Sequence, residues 1–395
     1  MRSRLLLTVY GLILVGELMW SAMVPLVPAF ARTLHLSTFE TGVLVSGTGA
    51  AVLVVSVPAG ILADRIGARR VAVGASVFLA LGLAGHALPP TFAGLFASRV
   101  LFGIGFGALW TGGVALAGEL VPSEKRARAL ALPMTIAGFA FMLGPAVAGV
   151  VAAHVGPRPP FAVAAVAVLA LGAGLAVGRA PAAVPGSRRE PITLGRLRRA
   201  TRVQVGLACT LVAGFTASAV FLVVPLQLSG EGMGTAGIGV ALTASALGFT
   251  VLSWVVARAG VRAATATVAA IATAALAGPM LLPILAVGAL PLVALLVLRG
   301  PITAVLFGIS YPLCVEGADE AGLGRGAILG LLNMTWAGAA VLGPISAGAI
   351  AQAGGDRLVY VALIATCLAA ASWIGLRRHQ VVSTAPAAAS GAVRV

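Results

Sequence analysis

The chain alternates between long apolar stretches and short polar connections. Twelve stretches carry at most one charged residue over about 20 positions, the length of helix that crosses a hydrocarbon core about 30 Å thick. Because lipid offers no hydrogen-bond partners, such stretches satisfy their backbone groups as helices. The pattern predicts an all-α integral membrane protein with 12 transmembrane helices. The stretches are 5–28, 40–62, 71–89, 92–118, 128–153, 160–178, 203–228, 236–257, 263–287, 290–315, 325–352 and 358–376.

The two halves of the chain repeat each other. Residues 143–149 read Leu-Gly-Pro-Ala-Val-Ala-Gly and residues 342–348 read Leu-Gly-Pro-Ile-Ser-Ala-Gly. The pair Glu119 and Arg128 recurs as Glu316 and Arg325, again at an offset near 197 residues. This period predicts two pseudo-symmetric six-helix bundles in the same orientation. The predicted units are an N-terminal bundle over 1–178, a basic linker over 179–202, a C-terminal bundle over 203–378 and a disordered tail over 379–395.

Composition and charge narrow the class of protein further. The chain is 60% apolar and 9% charged, with a formal net charge of +15. Of the 26 Lys and Arg residues, 21 fall at the N-terminus, in alternate connections or in the C-terminal segment. This distribution predicts that both termini are cytoplasmic and that the protein is a multi-pass inner-membrane protein. The basic excess is thus explained by membrane topology, and no nucleic-acid partner is predicted. The basic loops are predicted to contact anionic lipid headgroups.

No catalytic or metal-binding pattern is present in the sequence. The three cysteines lie singly in apolar stretches, and the four histidines are scattered. There is no nucleophile elbow, phosphate loop or HExxH motif. The sequence therefore predicts a protein that is not an enzyme, carries no metal or cofactor, and does not use ATP directly.

Three motifs resemble the major facilitator superfamily. Residues 60–70 read Gly-Ile-Leu-Ala-Asp-Arg-Ile-Gly-Ala-Arg-Arg, which resembles the signature of its second to third helix connection. Arg99 with Gly103 resembles its fourth-helix element, and 119–128 resembles its acidic and basic box. The resemblance implies two six-helix domains facing a central cavity, with helices 1, 4, 7 and 10 lining it.

The first apolar stretch resembles a narrower group. Residues 16–28 carry Glu17 upstream of Pro25 and Pro28, and this arrangement is similar to the first helix of 12-span drug:proton antiporters. The sequence departs from the antiporter pattern in two places. Alanines replace part of the glycine-rich element of the fifth helix, and the second-half copy of the loop motif lacks its aspartate. The resemblance implies proton-coupled efflux.

Two charged residues inside the apolar stretches are candidates for proton coupling. Glu17 lies near the bilayer midplane, where a carboxylate is costly unless it is paired, hydrated or protonated. That position suits a group that loads and unloads a proton, and the alternative is a protonated acid that bonds a neighbouring helix. Arg99, about 10 Å deep, either clamps backbone carbonyls of the first helix or reaches Glu17 through water.

The candidates for substrate binding are polar and aromatic side chains at mid-span. Arg299 either faces the cavity and binds an anionic group or pairs with lipid phosphate. Asn333 with Trp336 at i+3 either binds a substrate's amine or ring or joins helices. The full predicted set is Trp20, Ser21, Trp110, Thr111, Thr216, Arg299, Thr303, Tyr311, Asn333 and Trp336.

A conformational latch is predicted at the basic face. Asp64 is expected to cap the positive N-terminus of a neighbouring helix, and the resemblance implies that this is the helix beginning near Arg325. Arg69 or another loop arginine is expected to meet Glu119; the alternative is that the arginines serve topology alone. The predicted latch set is Gly60, Asp64, Arg65, Gly67, Arg69, Arg70, Glu119, Arg128, Glu316 and Arg325. Kinks are predicted at Gly144-Pro145 and Gly343-Pro344.

These features predict a secondary transporter that works by alternating access and exports small lipophilic compounds in exchange for protons. The first alternative is a proton-coupled uptake symporter of a small organic solute. A second is a ligand sensor or accessory subunit without turnover, and a third is a membrane-embedded enzyme. The expected partners are a small-molecule substrate, protons and lipids, and we expect a monomer in a bacterial membrane.

Overall fold

The fold is built from twelve long helices, as the apolar pattern predicts. The computed structural model describes residues 2–88, 91–178, 194–259 and 264–378. Twelve helices within these ranges are long and apolar enough to cross a membrane. In chain order they are α1 Arg2–Thr33, α2 Thr38–Ile66, α3 Ala68–Ala87, α4 Phe92–Glu119, α5 Ser123–Val155, α6 Pro159–Val177, α7 Thr201–Gly230, α8 Thr235–Ala259, α9 Ala266–Leu285, α10 Ala289–Glu320, α11 Arg325–Gly354 and α12 Asp356–Leu376.

Local sequence signals set several helix boundaries. Ser37 and Glu40 form a reciprocal capping box at the start of α2. Thr91 caps α4 by accepting from the backbone N–H of Gly94, and Thr265 caps α9 in the same way. A short helix, Leu194–Arg199, precedes α7. The rest of the predicted linker, over 179–193, and the predicted tail over 379–395 lie outside the described residues.

Two of the long helices depart from a uniform α-helix. Helix α4 contains one π-helical turn, Leu109–Gly113, which the sequence analysis did not predict. Helix α9 is divided into Ala266–Ala275, Ala277–Met280 and Leu282–Leu285, because Pro279 and Pro283 supply no backbone N–H. By contrast, α5 continues through Pro145 and α11 continues through Pro344, and the kinks predicted there remain predictions.

The two halves, α1 to α6 and α7 to α12, meet along two equivalent helix pairs. Helix α2 packs against α11, and α5 packs against α8. A Cβ atom at Gly42 would lie 2.4 Å from the carbonyl oxygen of Pro344, and one at Gly239 would lie 2.3 Å from that of Pro145. Gly42 and Gly239 are separated by 197 residues and the prolines by 199, so the sequence repeat is also a structural repeat.

The contacts between the halves are concentrated toward one face of the membrane. We call the face where α1 begins and α12 ends the basic face, and its counterpart the opposite face. Near the opposite face, Ser46 donates to the carbonyl of Val341 at 2.9 Å and Thr235 donates to that of Gly149 at 3.1 Å. Arg32 and Ser229 also join α1 and the end of α7 there. These hydrogen bonds therefore join the two halves on the side of the opposite face.

Close approach of α2 and α4 depends on Gly103. A Cβ atom there would lie 2.5 Å from the carbonyl oxygen of Thr48 and 2.8 Å from the Cβ of Ala51. We expect Gly103→Val to lower stability by about 1 to 3 kcal/mol, because the added side chain forces these helices apart. Thermal unfolding in detergent measures the effect, with Gly74→Val as the matched control, since a Cβ at Gly74 meets nothing within 4 Å. Equal losses in the two variants would contradict this account of the packing.

Candidate functional site

A carboxylate and an indole from different helices form the polar centre of the molecule. Glu17 lies halfway along α1 and is 8% exposed. The indole Nε1–H of Trp110 donates to Oε1 of Glu17 at 2.8 Å. Trp110 is presented by the π turn of α4, so the bond joins the middle of α1 to the irregular part of α4. All the other acids in the described residues lie within a few residues of a helix end, and Glu17 is the one acid among them at mid-span.

Aromatic rings surround this carboxylate. The ring of Trp20, one turn from Glu17, lies 4.8 Å from Phe106 and 5.6 Å from Trp336 between centroids, and 6.4 Å from Phe102. Trp336 comes from α11, so the rings bridge the two halves. We call Glu17, Trp20, Phe102, Phe106, Trp110 and Trp336 the Glu17 cluster.

The Glu17 cluster lies where α1 and α4 of the first half meet α11 of the second half. Asn333, one turn from Trp336 toward the basic face, is exposed, and Trp336 itself is half-buried. Tyr311 on α10 is also exposed, at 37%. The structure thus places Trp20, Trp110 and Trp336 together around Glu17, and the side chains of Asn333 and Tyr311 are exposed.

Ser21 faces α5. Its side chain is fully buried, and its hydroxyl lies within hydrogen-bonding distance of the backbone carbonyls of Glu17, Leu18 and Ala140. The arrangement repeats in the second half, where the hydroxyl of Ser218 donates to the carbonyl of Ala339 at 2.9 Å. Ser21 therefore joins α1 to α5, and Ser218 joins α7 to α11. This bonding leaves Ser21 no free hydroxyl for a substrate.

The three predicted threonines are also occupied by backbone carbonyls. Thr216 and Thr303 are buried and donate to the carbonyls of Val212 and Arg299 one turn earlier. Thr111 donates to the carbonyl of Gly107 at 2.9 Å and is partly exposed. Of the three, only Thr111 lies beside the Glu17 cluster, within the π turn.

Arg299 is buried in the second half. Its side chain is 2% exposed, and its guanidinium carbon lies 4.8 Å from the ring centroid of Phe221 on α7. Its Nε atom has no hydrogen-bond partner in the described part of the chain. Phe221 packs against Phe141 of α5 across the halves, with centroids 5.9 Å apart. Burial excludes the lipid-phosphate alternative in this conformation, because that alternative requires the guanidinium to reach the membrane surface.

Arg99 is bound to α2 and does not contact Glu17. Its guanidinium donates to the carbonyl of Val45 at 3.0 Å, and its own carbonyl accepts from Thr48 at 3.1 Å. Arg99 precedes Trp110 by 11 residues, which is about 16 Å along α4. The predicted carbonyl clamp is therefore present, but on the second helix and not the first, because α2 and not α1 is the neighbour of this part of α4.

The predicted latch contacts are not formed in this conformation. Arg69 donates to the carbonyls of Leu175 and Ala176 at the end of α6 and so does not meet Glu119. Glu316 pairs with Arg202 at 3.0 Å. Asp64 and Arg65 are exposed, and the side chain of Arg325 lies outside the described residues. Among the described latch residues, Arg69 and Glu316 thus bond within their own halves.

The remaining latch residues bond locally or lie exposed. Arg70 donates to the carbonyl of Ile66 in the preceding turn, and Arg128 on α5 is exposed. Gly67, at the α2–α3 turn, has φ of 94° and so uses a conformation that favours glycine. Gly60 is buried in α2.

Sequence reasoning missed the phenylalanines of the site. Phe102, Phe106 and Trp110 recur every four residues along α4, which places them on one helix face. That spacing was readable from the sequence and would have predicted an aromatic stripe facing α1. In the described residues, no group of three or more His, Cys, Asp or Glu side chains is arranged to hold a metal ion.

The comparison with models of protein families decides to which family the chain belongs. The family model described as Major Facilitator Superfamily matches residues 9–328. The chain belongs to the major facilitator superfamily. The resemblance seen in the loop motif is therefore confirmed, and this superfamily member is a transporter by family.

Curated relatives match over a part of their length. The quinolone resistance protein NorA of Staphylococcus aureus (strain Mu50 / ATCC 700699) is 27% identical over 138 residues, which is 35% of each chain. A probable 4-methylmuconolactone transporter of Cupriavidus pinatubonensis is 40% identical over 133 residues, 32% of this chain and 29% of that protein. The aligned segments thus span about a third of these relatives.

Solved structures share the fold over nearly the whole chain. A bacterial homologue of the human lysosomal transporter Spinster, inward-facing and occupied, has a TM-score of 0.76 at 15% identity and covers 98% of this chain and 99% of that one. A point mutant of the nucleoside transporter NupG has a TM-score of 0.73 at 14% identity, with 94% of this chain and 99% of that one covered. These similarities establish the fold of this superfamily member.

Proposed function

We propose that this transporter exports small lipophilic compounds in exchange for protons, and that its basic face is cytoplasmic. The observation that carries the proposal is the position of Glu17: one ionisable acid at mid-span, beneath aromatic rings from both halves. The partial similarity to the quinolone resistance protein NorA supports export of drug-like compounds. The excess of arginine at the basic face supports the cytoplasmic assignment.

The chemistry of the Glu17 cluster is suited to exchange. The carboxylate has one described hydrogen-bond donor, the indole of Trp110, and no cation within ion-pairing distance in the described residues. A buried carboxylate with one hydrogen-bond donor and no ion pair is costly while it is charged. It therefore favours binding either a proton or a cationic group. A proton and a substrate amine then compete for the same oxygen atoms, and this competition is the basis of antiport.

The aromatic rings supply the affinity for lipophilic cargo. Trp20 and Trp336 present flat apolar surfaces on either side of the boundary between the halves. Offset contacts between such rings and an aromatic substrate add to the free energy gained by burying apolar area. A substrate that packs on both Trp20 and Trp336 contacts both halves, so its binding is sensitive to their relative tilt.

Everted membrane vesicles with an acidic lumen test the proposal. We expect a fluorescent quinolone and the aromatic cation ethidium to accumulate in the lumen in a protein-dependent manner, and to leave when a protonophore removes the gradient. An exporter driven by protons requires this direction, because protons leave the lumen as substrate enters. Gradient-independent uptake, or none of either probe, would count against the proposal.

A second candidate is uptake of a small organic acid together with protons. It is favoured by the buried guanidinium of Arg299 and by the 40% identical segment shared with the probable 4-methylmuconolactone transporter. The same vesicles distinguish the candidates when an aromatic carboxylate is loaded inside: a symporter releases it together with protons, and an antiporter of cations leaves it in place.

A further inference from the structure

The π turn of α4 coincides with the side chain that bonds Glu17. A π turn holds one residue more than the α-helix around it, and such turns are frequent at functional sites. Here the backbone N–H of Leu109 reaches the carbonyls of both Gly105 and Phe106, and the N–H of Val114 returns to the carbonyl of Thr111. The backbone hydrogen bonds of α4 therefore depart from the regular α-helical pattern around Trp110.

Packing around the turn leaves it little room. A Cβ atom at Gly112 would lie 2.7 Å from Cγ1 of Val71 on α3, and one at Gly113 would lie 2.9 Å from Cδ1 of Leu109. The hydroxyl of Thr111 bonds the carbonyl of Gly107 within the turn. Gly112 thus allows the turn to fit against α3, and Gly113 leaves room for the side chain of Leu109. Returning the turn to α register would change which side chains point at α1.

The last part of α4 transmits any such change to the basic face. Val114–Glu119 follows the turn and ends at the connection to α5, where Nε of Arg126 donates to the carbonyl of Gly118 at 3.3 Å. Removing or adding one residue in a helix rotates everything beyond it by about 100°. A register change at Trp110 therefore moves Glu119 and the start of α5 relative to α2.

Among the residues that the structure describes, no other ionisable group competes for this role. Arg99 bonds α2, His86 of α3 bonds the carbonyl of Gly82 in its own helix, and Arg299 lies over Phe221. In the described ranges, no charged or titratable side chain of the helices packed on α1 lies within hydrogen-bonding or ion-pairing distance of the Glu17 carboxylate. Its described side-chain partner is the indole of Trp110.

We infer that Trp110 is the positioning residue through which the charge on Glu17 sets the register of the π turn. When Glu17 is ionised, the charge-assisted bond to the indole holds Trp110 in place and the turn in π register. When a proton or a cationic substrate neutralises Glu17, the bond weakens and the turn relaxes toward α register. This inference rests on the proposed function, because it requires that Glu17 exchange a proton.

Infrared titration of the purified full-length protein tests the inference. The protonated carboxyl band that disappears in Glu17→Gln reports Glu17 directly, whether or not transport is assayed. In Trp110→Phe, which keeps the ring and removes the N–H donor, we expect the midpoint of this band to move to higher pH by about one unit or more, since a hydrogen bond to a charged group is lost. The matched control is Trp254→Phe, whose indole is 58% exposed on α8.

Hydrogen exchange supplies the second measurement. We expect amides over 109–119 to exchange faster in Glu17→Gln than in the parent protein at high pH, because the neutral amide holds Trp110 less firmly. An unmoved midpoint in Trp110→Phe overturns the inference. If Trp110→Phe does not fold, unchanged exchange over 109–119 in Glu17→Gln overturns it instead.

The two proposals fail in distinguishable ways. If Glu17→Gln removes no titrating band, Glu17 does not exchange a proton and the proposed function fails with the inference. If the band is removed but Trp110→Phe leaves its midpoint unmoved, only the role of Trp110 is lost.

Discussion

Glu17→Gln is expected to stop transport driven by a pH gradient while the protein still inserts and folds. The amide replaces the carboxylate with nearly equal volume and still accepts from the Trp110 indole, so the packing of α1 is kept. It binds neither an exchangeable proton nor a cationic group as an ion pair. We expect gradient-driven accumulation of substrate to fall to the level of protein-free vesicles, and the affinity for a cationic substrate to fall roughly tenfold or more.

The control for this variant is Glu40→Gln. Glu40 accepts from Ser37 in the capping box of α2, a role that glutamine also fills. Glu40→Gln should therefore transport like the parent protein, and both variants should unfold at similar temperatures in detergent. Undiminished pH-driven transport in Glu17→Gln would remove this carboxyl from the coupling mechanism.

The apolar pattern predicted the helices well because membrane spans obey a simple constraint. All twelve appear, since about 20 apolar residues in lipid have no alternative to the helix. The helices extend beyond the predicted stretches, as at α1, which runs over Arg2–Thr33 where 5–28 was predicted. Polar residues continue a helix into the headgroup region, where hydropathy no longer marks its end.

The repeat predicted more than the number of halves. Equivalent glycines and prolines in the two copies, such as Gly42 with Pro344 and Gly239 with Pro145, meet across the boundary between the halves. Only the offset of the copies was readable from the sequence. That α2 meets α11, and α5 meets α8, follows from the arrangement of the two bundles around a central axis, which a linear repeat does not contain.

The candidate site was predicted in part. Glu17 was identifiable because an acid at mid-span has to be explained. Ser21 was misleading, since a serine in a span looks polar although Gly144 on α5 lets its hydroxyl approach the carbonyl of Ala140. Helix periodicity does not separate a lipid-facing side from a core-facing side when both are apolar, so the faces that pack on Glu17 could not be assigned from the sequence.

The latch shows a different limit of sequence reasoning. Arg69 was predicted to meet Glu119, and instead it bonds the last carbonyls of α6. The C-terminus of a helix presents unpaired carbonyls and a partial negative charge, which attract a nearby guanidinium as well as a carboxylate does. The sequence contains no indication that α3 packs on α6, and this packing selects the partner.

A disulfide between α2 and α11 is expected to stop transport by fixing the two halves together. In the structure, a Cβ atom at Gly49 would lie 3.3 Å from the Cβ of Ala340. The Cβ separation in disulfides is about 3.5 to 4.5 Å, so Gly49→Cys with Ala340→Cys should form the bond after a shift of a few tenths of an ångström. The native cysteines Cys209, Cys314 and Cys367 are buried and free, and the single cysteine variants control for their contribution.

Alternating access requires these contacts to break in every cycle, and this requirement gives the variant its large effect. Under oxidation we expect turnover to fall to background, and dithiothreitol to restore it, while each single cysteine variant transports in both conditions. Substrate binding measured in detergent should persist in the oxidised protein, because neither engineered cysteine replaces a residue of the Glu17 cluster. Continued transport by the fully cross-linked protein would show that α2 and α11 stay together through the cycle, and the halves would then have to move by another route.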